Sequence, residues 1–205
     1  MMPARRENSV KVRTSARARI ALRRRDLYQE RWNHELHAPA DMISIRVARD
    51  ADGAALSRLI ASVFAEYEGV LFRPEEFPEL VAVASHFEAR GGRLLVAEAG
   101  GRIVGSFGYV MTHEEGVAEI LKVYLAREFR GRGIAGRLLA RALDEARAAG
   151  ARGLALWSDL RFTDGHRFYE RHGFVRGAGL RALHDVSETL EIPYRRDRVP
   201  ARGPA

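Results

Sequence analysis

The sequence predicts an α/β fold, and three observations carry that prediction. Strand-like runs alternate with helical patterns between Ile43 and Tyr194. Two of those runs, Arg93 to Ala99 and Arg102 to Met111, are joined by the pair Gly100-Gly101, which is a hairpin signal. Another run, Ile120 to Leu125, passes through a short connector into a glycine-rich turn and an amphipathic helix. With 205 residues and 46% hydrophobic content the chain can bury one ordinary core, so a single domain is expected.

Taken in order, Ile43-Ser44-Ile45-Arg46-Val47 alternates apolar and polar positions and reads as a half-buried first strand. Asp50 and Asp52 favour a helix start, and Leu56, Leu59, Ile60, Val63 and Phe64 form the buried stripe of that helix. The pattern fades through Glu66-Tyr67-Glu68-Gly69. Pro74 to Pro78 marks a break, and a second helix is expected from Pro78 to Arg90, ending at Gly91-Gly92. After the hairpin, Thr112 to Gly116 turns the chain into the Ile120–Leu125 strand. Leu138, Leu139, Ala142, Leu143 and Ala146 lie on one face of the next helix, and Gly150 sits where a helix stops. Gly153 to Trp157 reads as a short buried strand. Thr163 is the expected cap of a helix running to His172, and Phe174-Val175 and Val186 to Tyr194 supply closing strands.

The central feature is the turn Arg130-Gly131-Arg132-Gly133-Ile134-Ala135-Gly136. Strand, glycine turn, helix is a recipe for gripping phosphate. The first amides of a helix lack intrahelical partners and point outward, and the helix dipole adds partial positive charge. Glycines let the backbone approach the anion, and Arg130 and Arg132 offer guanidinium donors. A plain strand-to-helix turn with solvated arginines is the bland alternative. No lysine follows the glycines, which excludes a Walker loop. The dinucleotide fingerprint G-x-G-x-x-G is matched by Gly131, Gly133 and Gly136, with Asp159 at the end of the next strand. Its place late in the chain argues against that reading.

The pattern Arg130-x-x-Gly133-x-Ala135, followed by Phe168-Tyr169-Glu170-Arg171-His172-Gly173-Phe174, resembles the GNAT superfamily of acyl-CoA-dependent N-acetyltransferases. The two motifs stand in the family's order, and the resemblance spans roughly Ile43 to Tyr194. It implies a GNAT-like three-layer fold, a mixed central sheet of about seven strands flanked by about four helices. It also implies acetyl-CoA as co-substrate, with Arg130 to Gly136 cradling its pyrophosphate and no metal. The backbone of Val123, Tyr124 and Leu125 would then face the pantetheine amides. Glu119 matches a glutamate that serves as general base in part of the family, and Tyr169 matches the tyrosine that protonates the coenzyme sulfur. The alternatives are a solvent-facing Glu119 and a Tyr169 that only packs. His113, Glu114 and Glu66 are lesser base candidates. Many relatives carry an asparagine seven residues before the tyrosine. Phe162 stands there instead, so the pantetheine contact is either lost or passes to Asp159.

The implied activity is transfer of acetyl from acetyl-CoA to a primary amine of a small molecule or peptide. A non-catalytic CoA-binding regulatory module is the alternative of another class. The net charge of +7 belongs to the ends. Residues 1–40 hold ten basic against four acidic residues, and 195–205 hold four against one, leaving 20 basic and 22 acidic in 41–194. The expected organisation is a basic extension at 1–41, with a helical patch from Ala18 to Trp32, a domain at 42–194 and a basic tail at 195–205. Nucleic acid is not an expected partner, and a homodimer is allowed for. There is no cysteine, hence no disulfide or thiol nucleophile. No apolar run approaches a membrane span, and a cytoplasmic protein is the simplest reading.

Overall fold

The computed structural model describes residues 43–197. The expected extension 1–41, its helical patch, the boundary at Met42 and tail residues 198–205 lie outside the described residues. The elements, in order, are β1 (Ser44–Val47), α1 (Gly53–Phe64), α2 (Val83–Ala89), β2 (Arg93–Ala99), β3 (Arg102–Met111), β4 (Val117–Leu125), α3 (Ile134–Ala148), β5 (Gly153–Asp159), α4 (Thr163–Arg171), β6 (Val175–Arg176), β7 (Arg181–Ala182) and β8 (Leu190–Arg196). One sheet runs β1-β2-β3-β4-β5-β8-β6, with β7 also paired to β8. Its pairs are antiparallel except β4 with β5, so the sheet is mixed as expected.

The hairpin turn forms because Gly100 and Gly101 both take positive φ, 54° and 78°, which the primed turns require. Helices cover both faces of the sheet. Residues three apart on a strand point to opposite sides, and on β3 a Cβ at Gly105 would meet Leu138 of α3 while one at Gly108 would meet Phe87 of α2. The core combines the α1 stripe Leu56, Leu59, Ile60 and Val63 with the α3 stripe Leu138, Leu139, Ala142, Leu143 and Ala146, packed on the sheet.

Five elements differ from expectation in their boundaries. The second helix is split: Pro78–Ala82 is a 3-10 segment, and Ala82 leaves helical geometry (φ −141°, ψ 63°) before α2 begins. β4 starts at Val117 and β5 runs on to Asp159. Thr163 is the first residue of α4 rather than its cap; Phe162 holds the cap position and offers no side-chain bond. The expected strand from Val186 begins only at Leu190, because Asp185 closes a turn by accepting the Thr189 amide (2.8 Å). It then continues through Arg195 and Arg196.

Gly108 is where helix and sheet touch most closely. An added Cβ would lie 2.4 Å from Phe87 Cε1 and 3.0 Å from the Leu121 carbonyl oxygen. Phe87 is fully buried and has nowhere to move. Gly108→Ala is therefore expected to destabilise the protein by about 1–3 kcal/mol, despite the better strand propensity of alanine. Denaturant unfolding checks this through a lower midpoint at an unchanged m-value.

Candidate active site

β4 and β5 begin as neighbours and then part. Parallel pairing joins Val117–Glu119 to Gly153–Ala155 and stops there, while β5 stays paired to β8 on its other edge from Leu154 to Asp159. A cleft of about 700 Å³ opens beside the diverging strands. Val123, Tyr124 and Leu125 of β4, Ser158 of β5, and Phe168, Tyr169 and His172 of α4 and its end line it.

A bulge in β4 shapes this wall. Gly108 faces Leu121 and Ser106 faces Tyr124, so Lys122 and Val123 together oppose Phe107. Lys122 takes a left-handed φ of 52°, rare for a residue with a side chain. The buried Ser106 hydroxyl donates to the Lys122 carbonyl at 2.7 Å and holds the bulge in place.

At the other end of the cleft lies the glycine turn. Gly131 and Gly133 have φ of 73° and 74°, and a Cβ on either would meet nothing within 4 Å. Gly133 is the cap residue of the 15-residue helix α3 and provides no side-chain bond to its first turn. The first intrahelical bond there is Arg137 N to the Gly133 carbonyl, 3.0 Å. The amides of Ile134, Ala135 and Gly136 thus precede the helical ladder, and all three residues line the cleft. Left-handed glycines leading into an uncapped helix start have the geometry of an anion nest.

The family model for the acetyltransferase (GNAT) family matches residues 57–174, more than half of the chain. The chain belongs to the GNAT family of acetyltransferases. No curated protein matches the sequence. Solved structures do. A GNAT acetyltransferase of Staphylococcus aureus Mu50 superposes with a TM-score of 0.65 at 19% identity, covering 76% of this chain and 98% of the other. A Salmonella typhimurium protein described as an acetyltransferase with its cofactor acetyl-CoA gives 0.62 at 19%, covering 80% and 97%. An N-acetyltransferase of Staphylococcus aureus Mu50 gives 0.61 at 22%, covering 76% and 98%. At such identities the likeness establishes the fold. Family membership makes the protein an acetyl-CoA-dependent acetyltransferase.

Within this GNAT domain most of the expected residues converge. Val123 to Leu125, Arg130, Gly131, Gly133 to Gly136 and Tyr169 all line the cleft. Tyr169 is 7% exposed. Burial, and after it the nearby Tyr194, hold its phenol well above the ordinary tyrosine range, so it stays protonated. Tyr124 is a second cleft phenol that sequence reasoning valued only for its backbone. Burial, then Tyr169 and Glu79, push its pKa far up as well.

Other residues stand differently from expectation. Asp159 is buried but does not line the cleft. Both its oxygens are taken by Arg161, which also reaches the Gly69 and Ser187 carbonyls. This pair ties the end of β5 to two loops, and Ser158 lines the cleft in its place. The ring of Phe162 lines the cleft and packs with its centre 4.8 Å from that of Tyr67. Arg130 does not extend freely toward a phosphate: its guanidinium grips Glu66 through two bonds of 2.8 Å. Glu66 is thereby committed. Arg132 lies over Phe129, 5.3 Å from the ring centre. Glu119 sits on the third position of β4, outside the cleft lining, 3.7 Å from Arg90. His113 and Glu114 occupy the turn that leads into β4, at the end of the strand away from Tyr124, and Glu114 binds Arg195.

Proposed function

We propose that the enzyme transfers acetyl from acetyl-CoA to a primary amine of a small molecule or peptide. The observation that carries this reading is the pairing of an anion nest at one end of the cleft with a buried, protonated phenol within it. The amides of Ile134 to Gly136 would hold the pyrophosphate, while Arg130, fixed by Glu66, holds the turn against α1. The backbone of Val123 to Leu125 would pair with the pantetheine arm, and the bulge aims that segment into the cleft. Acetyl-CoA supplies the activated acyl group as a thioester. Tyr169 would donate a proton to the departing thiolate. Glu119 lies on the same face of β4 as Tyr124, and we assign it as the base acting through water, because it does not itself reach the cleft lining.

Release of free thiol from acetyl-CoA across a panel of amines tests the reading. Thiol release that depends on an added amine supports it. Acetyl-CoA that raises the melting temperature with no amine supporting release would leave only a binding module. We further place the catalytic domain at 42–194. A chain begun at Met42 is expected to fold and keep its thiol release, and an inactive or insoluble truncation would show that the extension belongs to the domain.

A further inference from the structure

Of the 34 basic residues in the chain only Lys11 and Lys122 are lysine; the other 32 are arginine. Arginine stays a guanidinium under all working conditions and does not accept acyl groups as an amine does. Lys122 is therefore the one side-chain amine among the described residues. It stands in β4 immediately before Val123, the first of the strand residues that line the cleft.

Its setting is specific. The left-handed backbone at Lys122 costs about 1–2 kcal/mol, and such strain collects at functional sites. The side chain is 20% exposed, with Nζ 2.5 Å from Glu79 Oε1. The ammonium also rests 4.5 Å from the centre of the Phe77 ring. Phe77 lies 6.0 Å from Phe64, which in turn lies 5.9 Å from Tyr124 in the cleft wall. A purely structural ion pair would be served as well by arginine, which forms the pairs Arg46–Asp52, Arg130–Glu66 and Arg161–Asp159. Among the described residues the protein thus holds one ammonium, bound by a carboxylate and an aromatic face, next along the strand from Val123 to Leu125, which line the cleft.

We propose that the enzyme acetylates its own Lys122. This rests on the transferase reading above. Lys122 Nζ gives a proton to Glu79 and its lone pair attacks the thioester carbonyl carbon. The N–C bond forms and the C–S bond breaks; the nitrogen's second proton passes to solvent, and the thiolate leaves with a proton from Tyr169, which solvent restores. The product is a neutral amide. It ends both the ion pair to Glu79 and the cation contact with Phe77, and leaves that carboxylate and ring to hold the ammonium of a free acceptor.

The test incubates the full chain with acetyl-CoA, without added amine, and maps acetyl groups by peptide mass spectrometry over time. Acetylation of Lys122 is expected to outpace that of Lys11 by at least about tenfold, because Lys122 belongs to the strand that lines the cleft and proximity favours its amine. The rate constant should not change when the protein is diluted, since the transfer is within one molecule. Tyr169→Phe and Glu79→Gln should slow it, with Lys11 as internal reference. Glu79→Asp should restore part of the rate. Three results overturn the proposal: an unmodified Lys122 in protein that releases thiol with an added amine; equal labelling of Lys11 and Lys122, the mark of uncatalysed chemistry; or a rate constant that rises with protein concentration. Absence of both acetyl-CoA binding and amine-dependent thiol release would instead sink the transferase reading, and this inference with it.

Discussion

A Gly133→Val protein is expected to lose the thermal stabilisation that acetyl-CoA gives the wild type, while keeping its fold. Gly133 holds φ at 74° as the cap residue of α3. Valine is branched at Cβ and resists that conformation, at a cost of roughly 1–2 kcal/mol. No protein atom lies within 4 Å of an added Cβ, so the substitution creates no clash with the core. The damage falls on the amides of Ile134, Ala135 and Gly136, whose direction depends on the cap, and on the space an anion needs. At 100 times its dissociation constant a ligand stabilises by about 2.7 kcal/mol, and a hundredfold weaker affinity leaves only about 0.4 kcal/mol of that. Melting curves with and without acetyl-CoA read the difference directly. An unchanged shift in the variant would overturn the phosphate-nest assignment.

What the sequence revealed here was local. The hairpin at Gly100-Gly101 and the β4–turn–α3 unit each lie within one short stretch, and residue periodicity and turn chemistry suffice to find them. The glycine turn at one end of the cleft was legible for the same reason. The cleft was not. It exists because β4 leaves β5 after Glu119, and because Ser106 locks a bulge sixteen residues away in sequence. Neither event has a periodicity. The Arg130–Glu66 pair spans 64 residues, so nothing near Arg130 announced that its guanidinium is engaged. Asp159 is the instructive case. Arg161, two residues on, was a visible partner for its carboxylate, and a buried acid beside an arginine is more readily an ion pair than a ligand. Lys122 left a signal in composition alone, as a solitary lysine in a domain otherwise built with arginine.

Tyr169→Phe and Glu119→Gln are expected to fail in different ways across pH. Burial raises the Tyr169 phenol above its ordinary value of about 10, so its proton-donating form persists through neutral and mildly alkaline solution. The wild-type rate should therefore rise with pH as the acceptor loses its proton, with no alkaline fall from this residue below about pH 10. Phenylalanine keeps the ring packed against Phe174 and Tyr194 but removes the donor. The rate should drop by roughly 10²–10⁴-fold at every pH, because the thiolate then leaves unaided throughout. Acetyl-CoA affinity should change little, since the phosphates are assigned to the α3 amides. Glu119→Gln removes a proton acceptor instead. Its loss should be greatest at neutral pH and shrink in alkali, where solution supplies the free amine. Rate against pH for both variants on one amine separates the two roles. A Glu119→Gln enzyme with the wild-type profile would show that the base lies elsewhere. Glu79, 2.5 Å from Lys122 at the β4 bulge, is then the carboxylate to replace next.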